Sequence, residues 1–179
     1  MTITTRPAHR DDAAAIAAIY NQGIEDRGAT FETTPRTASE VVPKIDLGDR
    51  FPLLVADDGG AVLGWAGLSE YRPRGCYAGI AEFSIYLDRA ARGRGIGRVL
   101  LTALVGAARE RGYWKLVSRV FPFNAASLAL CRSCGFREVG TYEKHGRLDG
   151  QWLDVVIVER LIPENLAGET GDAAANSKS

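Results

Sequence analysis

Several features that define other protein classes are missing from this sequence, and each absence excludes a class. No apolar run reaches the roughly 18 residues that a membrane-spanning helix needs, and Met1–Arg6 contains no apolar stretch of the signal-peptide kind. The three cysteines, an odd number, do not build a disulfide framework, which favours a reducing cytoplasm. Lys and Arg total 22, as do Asp and Glu, so the zero net charge argues against a general nucleic-acid binder.

The length and composition predict one globular domain with an extension. The chain has 179 residues, of which 46% are hydrophobic and 25% charged, which is typical of a single soluble domain. No internal repeat is present. The stretch 164–179 is rich in Ala, Gly, Asn and Ser and can bury little apolar surface. We therefore expect a domain over residues 1–163 and a flexible C-terminal tail over 164–179.

Periodicity and turn residues predict the element order β-α-α-β-β-β-α-β-α-β-β. Apolar and polar residues alternate over Ile80–Leu87, which predicts a strand. An amphipathic pattern from Gly97 to the stop at Gly112 predicts a helix. A polar turn containing Gly146 and Asp149–Gly150 is expected between the last two strands. Helices interleaved with strands in this way predict an α/β or α+β domain around a mixed sheet.

The segment between that strand and that helix has the composition of an anion-binding loop. Glycines let main-chain amides turn inward, and the start of a helix adds unpaired N–H groups, so a pyrophosphate is the natural ligand. A Walker loop is excluded because no Gly-Lys-Ser/Thr follows, and a dinucleotide loop because the spacing is Gly93-x-Gly95-x-Gly97. The cations of the segment are Arg89, Arg92, Arg94 and Arg98.

On these residues the sequence resembles the GCN5-related N-acetyltransferase (GNAT) superfamily. The run 92–97 resembles the Gln/Arg-x-x-Gly-x-Gly/Ala loop with which that superfamily holds the pyrophosphate of acetyl-CoA. The similarity covers about residues 2–161 and includes Asn124–Ser127 and Cys134–Phe136. The resemblance implies a mixed, mostly antiparallel central sheet flanked by helices, with acetyl-CoA as cosubstrate.

The resemblance narrows to the phosphinothricin acetyltransferase branch. The segments 19–21, 30–32, 81–87 and 146–155 are similar to that branch, and Lys144–Gly150 resembles its arsinothricin-acetylating members. The resemblance implies an enzyme that acetylates the α-amino group of phosphinothricin, methionine sulfoximine or arsinothricin and so confers resistance. It also implies a homodimer with a small amino-acid-like substrate, while the charge balance and the lack of a long apolar run predict no nucleic-acid or membrane partner.

Direct transfer to an amine needs a base, because a protonated amine cannot attack a thioester. Glu82 is an acid on an otherwise largely apolar strand beside the glycine loop, and it matches the proposed base of the branch. Asn124 is predicted to bind the pantetheine, although it is equally a helix N-cap. The residues that the resemblance assigns to acetyl-CoA are Ile85, Tyr86, Leu87, Arg92, Gly93, Arg94, Gly95, Ile96, Gly97, Arg98, Asn124 and Ser127.

The predicted substrate site is cationic. Arg72 and Arg74 precede the Glu82 strand and offer planar donors to an anionic amino acid, although they could equally be solvated loop arginines. Phe31 and Tyr77 could wall the same pocket. This sequence departs from the family at Cys131, where Tyr or His is common. We expect Cys131 to be a buried core residue, with water as an open route for the proton of the departing thiolate.

Two alternatives stay open, and no metal site is expected. His9 and His145 supply too few partners for zinc. The same chemistry could serve a protein N-terminus or a polyamine, but a polyamine needs an acidic pocket, whereas Arg72 and Arg74 predict a basic one. A non-catalytic CoA-binding domain would have lost the base and the glycine loop, and both are present.

Overall fold

The computed structural model describes residues 3–166, and the predicted order of strands and helices is confirmed. The short turn Pro163–Asn165 follows the last strand, where the Asn165 amide donates to the main-chain oxygens of Arg109 and Tyr113. The rest of the predicted tail lies outside the described residues. The elements are β1 (Thr4–Pro7), α1 (Ala13–Glu25), α2 (Ala38–Asp46), β2 (Leu53–Asp58), β3 (Ala61–Glu70), β4 (Ile80–Leu87), α3 (Ile96–Glu110), β5 (Lys115–Val120), α4 (Ala125–Ser133), β6 (Arg137–Leu148) and β7 (Gln151–Leu161).

The strands form one seven-stranded sheet in the order β1-β2-β3-β4-β5-β7-β6. Neighbouring strands run antiparallel except β4 and β5, which are parallel and joined by the crossover helix α3. The expected mixed, mostly antiparallel sheet is therefore confirmed. Among residues 3–166, no helix combines the length and apolar character needed to cross a bilayer.

Helices cover both faces of the sheet, and the alternation of β4 divides its side chains between them. Phe83 packs with α3 and α4 in a core that includes Leu100 and Leu104. Tyr86, on the other face, packs with α1 and α2 around Trp65. Side chains at even positions of β4, including Glu82, therefore point to the α1–α2 face.

The C-terminal hairpin differs from the sequence prediction at Gly146, which was wrongly placed in the turn. β6 continues to Leu148, and only Asp149 and Gly150 form the turn. The register shifts between Tyr142 and Gly146, and the main-chain N–H of Lys144 (φ 47°) donates to Asp154 at 2.7 Å. An irregular stretch of strand therefore stands where the polar composition suggested a turn.

Candidate active site

The glycine-rich turn joins β4 to α3 and leaves main-chain amides available. Gly93 and Gly95 have φ values of 75° and 79°, a left-handed conformation that favours glycine. Gly95 is the N-cap of α3, and its carbonyl accepts from the N–H groups of Arg98 and Val99. The N–H groups of the preceding residues in the first turn have no helical partner, so this end of the helix is suited to an anion.

The four arginines of this turn have two different roles. Arg89 donates to Glu25 and Asp26 on the end of α1, and Arg92 pairs with Asp26 at 2.9 Å. The guanidinium of Arg89, with help from that of Arg92, lowers the pKa of Asp26. Arg94 and Arg98 are exposed and form no ion pair with another residue of 3–166. These two arginines are therefore the cations of the turn that are available to an external phosphate.

A groove opens where β4 and β5 separate. The two strands pair only from Ile80–Glu82 against Lys115–Val117, while β4 stays paired with β3 as far as Leu87. The main-chain edge of β4 beyond Glu82 therefore faces the groove without a strand partner among the described residues, apart from the Phe83 carbonyl, which accepts from the Ser118 hydroxyl at 2.9 Å. An extended ligand could add along this edge as a further strand.

The groove is lined by four of the residues predicted to contact pantetheine, Tyr86 among them, but the structure also gives one of the four a structural role. The other three are Ile85, Asn124 and Ser127. The Asn124 side chain accepts from the Ser127 main-chain N–H at 3.1 Å and donates to the Gly28 carbonyl at 3.0 Å. Asn124 therefore caps α4 and holds the loop after α1 in place, and its binding of pantetheine stays a prediction.

The Glu82 carboxylate is held by an arginine that the sequence analysis did not single out. Arg119 Nη2 lies 2.8 Å from Glu82 Oε1 and 2.6 Å from Oε2. The Glu82 side chain is 26% exposed and that of Arg119 47%. Arg119 lies two residues beyond Val117, the partner of Glu82 in the parallel register, so the two charges share the α1–α2 face. A charged side chain on β5, a strand inside the sheet, was the feature of the sequence that could have indicated a functional role for Arg119.

The loop after α1 carries Phe31 to the same place. Asn21 holds this loop through two hydrogen bonds with the main chain of Arg36, at 2.8 and 2.9 Å. Phe31 packs edge-on against Phe121 and leaves no room for a side chain at Gly146, where a Cβ would lie 2.7 Å from its ring. Phe31 and Phe121 border a cavity of about 390 Å³, called the Phe31 cavity below. Its lining is Ala29, Thr30, Phe31, Glu32, Arg119, Phe121, His145 and Val155.

The other predicted substrate residues lie around a different cavity. Arg72, Arg74 and Tyr77 border a space of about 250 Å³ together with Arg50 and Glu70. Both predicted arginines are exposed. In a single copy of the chain, Phe31 and these three residues therefore do not line one common cavity.

Cys131 is a buried residue, as expected, and it also lines the groove. Its side chain belongs to the core beneath α3 and α4. Burial raises the pKa of Cys131 to about 11, so the thiol keeps its proton at neutral pH. Cys131 and Cys134 are both free thiols, and Cys76 is free and exposed.

Comparison with known proteins shows which family and relatives the chain is similar to. The acetyltransferase (GNAT) family model matches residues 16–136. The chain is 38% identical to a phosphinothricin N-acetyltransferase of Alcaligenes faecalis, over 93% of this chain and 85% of that protein. It is 35% identical to an L-methionine sulfoximine/L-methionine sulfone acetyltransferase of Pseudomonas paraeruginosa, over 89% and 94% respectively.

A solved structure gives the same result for the fold. The phosphinothricin acetyltransferase of Sinorhizobium meliloti in complex with AcCoA superposes with a TM-score of 0.84 at 36% identity. The match covers 90% of this chain and 89% of that protein. The glycine turn and the open edge of β4 described above are suited to the pyrophosphate and the extended arm of such a ligand.

Proposed function

The chain belongs to the acetyltransferase (GNAT) family, and on that premise we propose that it acetylates the α-amino group of glutamate analogues. It is an N-acetyltransferase, and acetyl-CoA is its cosubstrate. The candidate substrates are phosphinothricin, methionine sulfoximine and arsinothricin, whose acetylation would confer resistance to them. The free thiols and the use of acetyl-CoA favour a cytoplasmic location.

The position of Glu82 carries this proposal. Its carboxylate lies where β4 and β5 separate, and its ion-pair partner Arg119 borders both the groove and the Phe31 cavity. An amine that enters from the Phe31 cavity therefore meets a base beside the groove. Glu82 takes the proton of the ammonium group, directly or through one water, and the free amine becomes the nucleophile.

The remaining parts of the groove bind acetyl-CoA and polarise its thioester carbonyl. We assign the main chain of Ile85, Tyr86 and Leu87 to the extended pantetheine arm of acetyl-CoA. One N–H of this segment then lies near the thioester carbonyl oxygen, on which negative charge develops. The amides from Gly93 to Gly97, together with Arg94 and Arg98, are assigned to the pyrophosphate, whereas Arg92 is held by Asp26 and is assigned to the support of the turn. Acetyl-CoA supplies the acetyl group as a thioester, and the protein holds its reacting end next to Glu82.

In this proposal the attacking nitrogen loses a second proton as the amide forms, and water carries that proton to the leaving thiolate. Cys131 lines the groove, but a thiol whose pKa is raised to about 11 is a weak acid and gives up its proton reluctantly. The exposed mouth of the groove admits water instead. Cys131 then contributes packing rather than proton transfer.

The anionic ends of the substrate are assigned to cationic side chains. Phe31 walls the cavity next to Glu82, while Arg72, Arg74 and Tyr77 lie on the loop that leads into β4. Because planar guanidinium groups match phosphinate and arsinate oxygens, we assign Arg72 and Arg74 to the anionic head group. Since these arginines do not line the Phe31 cavity of their own copy, the assignment places them at the Phe31 cavity of a second copy. A polyamine requires an acidic pocket, whereas Arg72 and Arg74 are cationic.

Consumption of acetyl-CoA tests the proposal directly. We expect thiol release with phosphinothricin, methionine sulfoximine or arsinothricin at a kcat/KM at least about tenfold above that with spermidine or a peptide bearing a free N-terminus, because only the analogues carry a carboxylate on the carbon that bears the amine. Turnover confined to the polyamine or the peptide would contradict the substrate proposal and leave the family assignment intact.

We also propose that two copies of the chain associate through the hairpin of β6 and β7, with β6 at the contact. This strand is at the edge of the sheet and is largely exposed. Val139, Tyr142 and Trp152 on the hairpin are 48%, 54% and 57% exposed, an apolar surface of the kind that interfaces cover.

Sedimentation measures the association state. We expect a dimer at micromolar concentration, and we expect Trp152→Glu to shift it toward monomer because it places a charge in the apolar contact. The matched control is Leu47→Glu at the C-terminal cap of α2, which is 54% exposed and lies away from the hairpin. A monomeric wild-type chain, or equal effects of the two substitutions, would contradict the proposed interface.

A further inference from the structure

The ion pair between Glu82 and Arg119 occupies the candidate base. Both carboxylate oxygens accept hydrogen bonds from the same nitrogen, Arg119 Nη2. The other two guanidinium nitrogens of Arg119 form no hydrogen bond with residues 3–166, and the side chain is 47% exposed. Arg119 is therefore a cation with unused donors, held at the base by a contact that a second carboxylate could replace.

Arg119 lies at the junction of the two spaces that the reaction needs. It lines the groove between β4 and β5, and it also lines the Phe31 cavity of about 390 Å³. A ligand in that cavity consequently reaches the guanidinium without crossing the sheet. The lining of this cavity contains one guanidinium, Arg119, and one carboxylate, Glu32. Because Glu32 repels an anion, an anionic group in the cavity binds at Arg119.

The covalent structure of an α-amino acid suits this arrangement. Its amine and its carboxylate are attached to the same carbon. A carboxylate bound by Arg119 therefore brings the amine next to Glu82. On the basis of the function proposed above, we propose that Arg119 binds the α-carboxylate of the substrate. By doing so it releases Glu82 to accept the proton of the adjacent ammonium group.

This exchange makes Arg119 the residue that selects α-amino acids over other amines. An amine without a carboxylate leaves the Glu82–Arg119 pair closed, so the base stays occupied. An α-amino acid replaces one carboxylate by another at the guanidinium, and the number of ion pairs is conserved. The proton moves from the ammonium nitrogen to Glu82, and no other covalent change is needed before acetyl transfer.

The test compares methionine sulfoximine with its α-carboxamide, which keeps the amine and loses the negative charge. We expect the wild-type enzyme to favour the acid by about 10- to 100-fold in kcat/KM, since a charge-assisted fork contact is lost in the amide. In Arg119→Leu this acid-to-amide ratio falls toward one, mainly through a higher KM for the acid. Arg119→Lys keeps the charge but not the planar fork and retains part of the ratio.

The ratio is measured within each variant, so a reduced folded fraction cancels. The control is Arg10→Leu, which removes another exposed arginine that is paired with an aspartate, Asp46, and it should keep the wild-type ratio. A wild-type preference that survives in Arg119→Leu overturns this inference alone. A wild-type enzyme that acetylates no α-amino acid overturns the proposed function, and this inference with it.

Discussion

Replacing Glu82 by Gln lowers kcat by about 10²- to 10³-fold near pH 7 and leaves the Kd for acetyl-CoA nearly unchanged. Glutamine keeps the size of the side chain and an oxygen that can accept from Arg119, but it cannot take a proton from the ammonium group. The proposed binding of acetyl-CoA uses the glycine turn and the main chain of β4 beyond Glu82, neither of which this substitution alters. Steady-state thiol release gives kcat, and calorimetry gives the Kd.

A matched control separates loss of the base from loss of an ion pair. Glu138 also pairs with an arginine, Arg132, at 3.2 Å, but it lies outside the groove. Glu138→Gln should keep kcat within about threefold of wild type, as surface substitutions usually have small effects. If Glu82→Gln behaved like Glu138→Gln, Glu82 would not be the base.

Removing Arg94 and Arg98 together should weaken acetyl-CoA binding by about 100-fold. Each contact of a guanidinium with a phosphate oxygen is charge-assisted, and losing about 1.4 kcal/mol at each site corresponds to about tenfold. Because these contacts are exposed, the loss should shrink as salt is added. The measurement is the Kd for acetyl-CoA of Arg94→Ala/Arg98→Ala at two ionic strengths.

Arg89→Ala is the contrasting variant for this prediction. Arg89 belongs to the same turn, but its guanidinium is already bound by Glu25 and Asp26. We expect its Kd for acetyl-CoA to stay within about threefold of wild type. Equal losses in Arg89→Ala and in the double variant would mean that general positive charge, rather than the two unpaired arginines, attracts the phosphates.

Local sequence patterns were sufficient for the elements and for the glycine turn. The alternation over Ile80–Leu87 reflects a strand covered on both faces by different helices, and the structure gives the same bounds. The glycines of the turn were informative because two of them need positive φ values at the start of a helix. Gly146 was misleading because polar residues and glycine also occur where a strand bulges.

Long-range pairings were beyond the reach of these patterns. The Glu82–Arg119 contact joins side chains 37 positions apart and depends on the parallel register of β4 and β5. Likewise, which arginines of the turn remain available depends on Asp26, which caps the C-terminus of α1, 63 positions before Arg89. Charge composition predicts how many cations a segment has, but only tertiary structure decides which are neutralised.

The identity of the acetylated product tests the central claim most directly. The protein is incubated with acetyl-CoA and an equimolar mixture of phosphinothricin, methionine sulfoximine, arsinothricin and spermidine, and the products are identified by mass spectrometry. The account predicts one acetyl group on the α-amino nitrogen of at least one of the three amino acids and at most about a tenth as much acetylated spermidine. Acetylated spermidine alone, or a mixture left unmodified, would contradict it.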